Sequence, residues 1–67
     1  MENLKISLAA ARVNANLTQE DTARTLHVSK RTVVNWEKGR VTPTLATVQA
    51  LANLYGIPID NIGVSKK

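Results

Sequence analysis

Four side chains in one short stretch carry the densest hydrogen-bonding chemistry of this 67-residue chain: Lys30, Arg31, Thr32 and Asn35. Arg31 and Asn35 stand four apart, so on a helix they project together from one face. Arginine and lysine can donate to O6 and N7 of guanine, and asparagine can pair bidentately with adenine. Threonine can touch a thymine methyl or a phosphate. Residues 30–40 also hold four of the nine cations against one anion, Glu37. An ordinary solvated helix face has a similar composition, so the meaning of these donors depends on what positions them.

The positioning elements are legible from caps and spacing. Ser7 can cap a first helix running to about Val13, with Leu8, Ala11 and Arg12 on one side; Asn14 and Asn16 end it. Thr18 opens a second helix, with Glu20 and Asp21 in its first turn, where the dipole favours negative charge. Ala23 and Leu26, three apart, face inward. His27, Val28 and Ser29 form a turn, and Ser29 caps a third helix through about Glu37 with Val33 and Trp36 inside. The outward positions of that helix are then Lys30, Arg31, Thr32 and Asn35. Gly39 ends it. Pro43 and Thr44 start a fourth helix whose stripe is Leu45, Val48, Leu51, Ala52 and Tyr55. Gly56 and Pro58 punctuate it, and Asp60 to Ile62 suit a short closing turn. Strand signals are poor: two aromatics and no long β-branched alternation. The expectation is an all-α fold, a compact bundle of four helices plus a short fifth. The domain is read as residues 1–64, with the central two-helix unit at about 18–38 and a tail at 65–67.

Composition narrows the function classes. The chain has no cysteine and one histidine, which removes disulfides and leaves no metal site, and no cofactor is expected. A formal net charge of +4 on so small a domain favours a polyanionic partner, because cations release counterions from phosphates. The longest apolar runs fall far short of the roughly 20 residues that span a bilayer. The N-terminal run MENLKISLAAARVNA lacks a basic segment followed by a continuous apolar one, so it does not read as a signal peptide. A cytoplasmic, non-membrane protein is expected. An enzyme is not. Ser7, Ser29 and Ser65 have only His27 as a base, no glycine-rich phosphate loop is present, and so small a chain leaves little room for a substrate pocket.

With these elements in place, the stretch LTQEDTARTLHVSKRTVVNWEKGR, Leu17 to Arg40, resembles the helix-turn-helix of the lambdoid phage repressor and Cro family, also called the xenobiotic-response-element type. The matching pieces are Leu17-Thr18-Gln19-Glu20, Ala23, Leu26, Val28-Ser29, Val33 and Asn35-Trp36-Glu37-Lys38-Gly39. The likeness runs upstream through Arg12 and downstream through Pro43, Leu51-Ala52 and Tyr55-Gly56-Ile57, nearly the whole chain. It implies a lambda-repressor-like, sequence-specific regulator of bacterial or phage origin, a repressor, with its third helix in the major groove of a double-stranded DNA operator.

By that resemblance Lys30, Arg31, Thr32 and Asn35 read bases. Thr18, Gln19, Ser29, Lys38, Arg40, Thr42 and Thr44 hold phosphates, with Gln19 also bracing a base-reading side chain. Arg12 and Glu37 form a structural ion pair, whose loss would cost on the order of 3–5 kcal/mol if buried and under about 1 kcal/mol if exposed. Two positions depart from the family pattern. His27 stands where glycine is usual, which calls for a left-handed backbone on a non-glycine residue. Thr22 stands where a larger apolar residue is usual, so that corner of the core is expected to be thin. Trp36 and Tyr55 fall on inward stripes and read as core, not as stacking platforms for single strands. Ile57, Ile59, Ile62 and Val64 supply apolar surface either for capping the fourth helix or for a homodimer through the C-terminal region. The same fold also serves as a protein-interaction adaptor or antitoxin-like module; whether Lys30, Arg31 and Asn35 matter separates the two readings.

Overall fold

Each helix begins with the same chemistry. In the computed structural model, which describes residues 5–63, the hydroxyls of Ser7, Thr18, Ser29 and Thr44 accept from the backbone N–H groups of Ala10, Asp21, Thr32 and Thr47. A cap of this kind contributes about 1 kcal/mol by satisfying a donor that the helix cannot. The chain order is β1 (Ile6–Ser7), α1 (Leu8–Asn14), α2 (Gln19–Leu26), α3 (Lys30–Glu37), α4 (Leu45–Tyr55), a 3-10 turn (Ile59–Asn61) and β2 (Ile62–Gly63). Val64, the tail at 65–67 and the first four residues of the expected domain lie outside the described residues.

The helix ends are equally local. Asn16 and His27 have φ of 63° and 59°, and Gly39 and Gly56 have 76° and 74°. These are left-handed positions, open to glycine and tolerated by asparagine and histidine. At His27 the Val28 N–H reaches back to the Ala23 carbonyl at 2.9 Å, closing α2 in a Schellman-type turn.

The core lies where the helix stripes meet. Leu8 and Ala11 of α1, Ala23 of α2 and Val33 and Trp36 of α3 are buried against Val48, Leu51, Ala52 and Tyr55 of α4. Ala23, a small residue, is buried in the core on α2. Leu26, Val28, Ile57 and Ile59 are half-buried and pack on the outside of this cluster.

Three expectations are corrected. Leu45, expected on the inward stripe of α4, is 77% exposed. It is the first residue of the helix, and the stripe meets the core only from Val48 onward. Thr22 does not leave a thin corner. It is fully buried, and its hydroxyl pairs with the Tyr55 phenol at 3.2 Å. A hydrogen-bonded pair fills the space that a larger apolar side chain would take, and burial pushes the phenol's pKa up. Two short strands also exist where none was expected. Ile6 pairs with Ile62 and Ser7 with Gly63 in a parallel ladder. A pairing two residues long has no alternation to betray it. It ties the start of α1 to the end of the described chain, reinforced by a Lys5 Nζ bond of 2.7 Å to the Asp60 carbonyl.

Candidate nucleic-acid interface

α2 and α3 meet across the turn His27–Ser29, and what they present depends on which side chains the interior takes. The interior takes Glu37, at the last turn of α3. Its carboxylate accepts from Arg12 Nε at 2.7 Å and Nη2 at 3.3 Å, and from Gln19 Nε2 at 3.0 Å. Arg12 Nη1 donates in turn to the Leu17 carbonyl at 2.9 Å. The ionic side chains are only 14% and 6% exposed. The hydrogen bonding that Arg12 donates to Glu37, more than the carboxylate's charge, raises the Arg12 pKa despite the burial that opposes it. One carboxylate thereby fixes α1, the α1–α2 loop, the start of α2 and the end of α3. The angle at which α3 stands is held by charge-assisted bonds, which are stronger than neutral ones.

The residues singled out in the sequence fall into two groups. Arg31, Lys38, Arg40 and Thr42 are exposed. Among the described residues none of these three cations has an ion-pair partner. Asn35 is half-buried beside Arg31 on the outer face of α3. Lys30 is exposed at the front of α3, with its Nζ 3.8 Å from the Glu20 carboxylate. That separation between two exposed groups is worth little energetically, but it places an anion at the edge of the basic face.

The second group is engaged within the domain. Thr18, Ser29 and Thr44 are helix caps. Thr32 is half-buried, and its hydroxyl lies 2.9 Å from that of Ser29. Thr44 also donates to the Thr47 hydroxyl at 3.0 Å. The Gln19 amide is on Glu37, as described, with its second hydrogen still available to an outside acceptor. Asp21 completes a reciprocal capping box with Thr18, accepting from the Thr18 N–H at 2.9 Å. That backbone bond, first among the causes, holds the Asp21 carboxyl below its ordinary pKa.

Sequence reasoning missed two of these roles. It gave Glu20 only a place in the helix dipole, whereas the fold brings it beside Lys30, ten residues on. It gave Gln19 a phosphate and a base-reading side chain to brace, whereas the fold puts its amide on Glu37. Spacing along one helix carried no signal for either, since each contact joins residues of two different helices. Among the described residues no group of three or more histidines or carboxylates could hold a metal ion, and no helix is long and apolar enough to cross a membrane.

The helix-turn-helix family profile matches residues 8–62. The chain belongs to the helix-turn-helix family, in its phage-repressor type. Over 48 residues it is 46% identical to the cryptic phage CTXphi transcriptional repressor RstR of Vibrio cholerae, covering 72% of this chain and 43% of that protein. Over 59 residues it is 39% identical to an uncharacterized HTH-type transcriptional regulator of Methanocaldococcus jannaschii, covering 88% of this chain and 89% of that one. The HTH-type transcriptional activator BcrR of Enterococcus faecalis is 31% identical over 55 residues, 82% of this chain and 27% of the activator. The chain therefore spans under half the length of two of these relatives and nearly all of the third. The domain is of the DNA-binding, transcriptional-regulator class, with the four-helix architecture already described.

Proposed function

We propose that this helix-turn-helix chain binds double-stranded DNA sequence-specifically and represses transcription, with α3 inserted in the major groove. The observation that carries the reading is the division of polar residues on α3. Glu37 is drawn inward by Arg12 and Gln19, while Arg31 and Asn35 stand outward on the opposite side. In this reading Arg31, Asn35 and Lys30 contact base edges, and Thr32 shares between base and phosphate. Lys38, Arg40 and Thr42 follow the backbone after α3. Thr18 and Ser29 donate their hydroxyl hydrogens to phosphates, and Thr44, whose hydroxyl already donates to Thr47, offers them the N–H groups of the helix start it caps. Gln19 uses its second amide hydrogen in the same way. Repression is favoured over activation by the relative of highest identity among those described, whose name is that of a repressor.

A DNA partner puts this work in the cytoplasm, and the reading is of a binding protein, not an enzyme. Two copies on an operator would address half-sites about 34–36 Å apart, one helical turn. The C-terminal isoleucines support such a dimer less than their sequence suggested. Ile62 is buried in the core, and Ile57 and Ile59 pack against it.

Selection of duplexes from a random pool tests the proposal. An enriched motif with two inverted half-sites is expected, bound far more tightly than scrambled DNA at equal salt. Recovery of unenriched DNA, with equal affinity for all duplexes, would overturn it.

A further inference from the structure

Of the four cations between residues 30 and 40, Lys30 alone has a carboxylate beside it among the described residues. Its ammonium lies 3.8 Å from Glu20, in the first turn of α2. Both side chains are open to solvent, 55% and 67% exposed. The separation is too long for a hydrogen bond, so the two charges attract without locking together. Glu20 also directly follows Thr18 and Gln19, which meet phosphates in the proposed function. Its charge therefore opposes the ligand that the surrounding cations attract.

Resting on the operator-binding reading, we infer that Glu20 is a positioning residue for selectivity. It withholds Lys30 from the phosphates of unrelated DNA and yields it to a guanine edge. The relative strengths decide this. An exposed ion pair shifts an equilibrium by at most about fivefold. A good pair of hydrogen bonds to a base edge discriminates by about five- to 150-fold, and so outweighs the hold of Glu20. A phosphate oxygen offers Lys30 only another exposed contact between point charges, the kind that Glu20 already gives.

On an unrelated duplex the Glu20–Lys30 pair stays closed and adds no net charge to the basic face. On the operator it opens. Binding to unrelated DNA is almost wholly electrostatic, so the loss of one cation is felt most there. Lysine suits such an exchange, because its single ammonium on a flexible stem can change partners where a planar guanidinium fork is held by two bonds. Selectivity then arises partly from what the protein denies to wrong sequences.

Salt titrations of the full chain on the selected duplex and on a scrambled one test this, with wild type, Glu20→Gln, Lys30→Gln and the double variant. Glu20→Gln should bind scrambled DNA more tightly, by up to about fivefold, with a salt slope steeper by about 0.9, one further phosphate. Its gain on the selected duplex should be smaller, so the ratio of the two affinities falls. In the Lys30→Gln background the Glu20 substitution should leave the scrambled slope unchanged, since no cation remains to be released. Bare repulsion between Glu20 and DNA would persist without Lys30. Thermal melts should show all three variants folded, in keeping with exposed positions. A gain that persists in the double variant, or an unchanged slope for Glu20→Gln alone, would overturn the assignment. So would a selective loss at one G·C pair, which would make Glu20 itself the acceptor of a cytosine amino group. A wild-type chain that binds both duplexes equally would sink the operator reading, whereas a discriminating wild type matched by Glu20→Gln would sink this assignment alone.

Discussion

Glu37 and Arg31 sit on the same short helix, yet they belong to two regions that use charge in opposite ways. At the inner end of α3 the Glu37 carboxylate is 6% exposed and holds three hydrogen bonds from Arg12 and Gln19. At its outer face Arg31 is exposed and, among the described residues, has no ionic partner. Residue type does not separate a scaffold from a contact surface here, since both regions use arginine, an amide and lone pairs. Satisfaction separates them. A polar group whose partners lie within the domain contributes order, and one whose partners are missing is available to a ligand.

The largest expected effect lies on the inner side. Arg12→Ala leaves a nearly buried carboxylate with one amide donor, and should cost on the order of 3–5 kcal/mol of stability. Thermal melting would measure it, and a loss under about 1 kcal/mol would place the pair among ordinary surface ion pairs and erase the contrast. On the outer side, Arg31→Ala should weaken binding to the selected duplex by about 1–3 kcal/mol and relax preference at one position. Its melting temperature should stay near wild type, in keeping with an exposed position. Lys38→Ala sharpens the outer region further. It should weaken all duplexes alike and lower the salt slope by about one unit. Equal losses for Arg31→Ala on selected and scrambled DNA would move Arg31 to the phosphates.

Two smaller effects concern the turn and cap between those regions. His27→Gly relieves a left-handed φ of 59° and should stabilise the domain by about 0.5–1 kcal/mol, after the extra freedom glycine gives the unfolded chain. A destabilised variant in thermal melts would show that the imidazole makes a contact worth more than the strain. The smallest effect is at Asp21, which is half-exposed at the start of α2. Its folded pKa is lowered, so its contribution is present above the unfolded value, near pH 4. It is lost as pH falls through the folded value. The difference in melting temperature between wild type and Asp21→Asn should therefore shrink on acidification below about pH 4. A difference that grew there would contradict the capping role.

How much of this was legible in the sequence depended on how far away each partner lay. Ser7, Thr18, Ser29 and Thr44 announce helix starts because the group each cap satisfies is three residues on. Asn16, His27, Gly39 and Gly56 mark the ends through their own backbone preferences. The Arg12–Glu37 pair, 25 residues apart, was available only through resemblance to a family.

The chain's own order of residue types settled its four helices, the charge-free stretch over the last of them, and the set of donors on the third. Tertiary packing alone decided which polar groups were already taken. It put Gln19 on Glu37 and Thr22 on Tyr55, left Leu45 in solvent, and joined Ile6 to Ile62. Periodicity reports which face of an element is apolar, because that follows from fixed rise and rotation along one segment. It carries no information on which distant segment will supply a bond, since that is chosen only when the elements close around a common core.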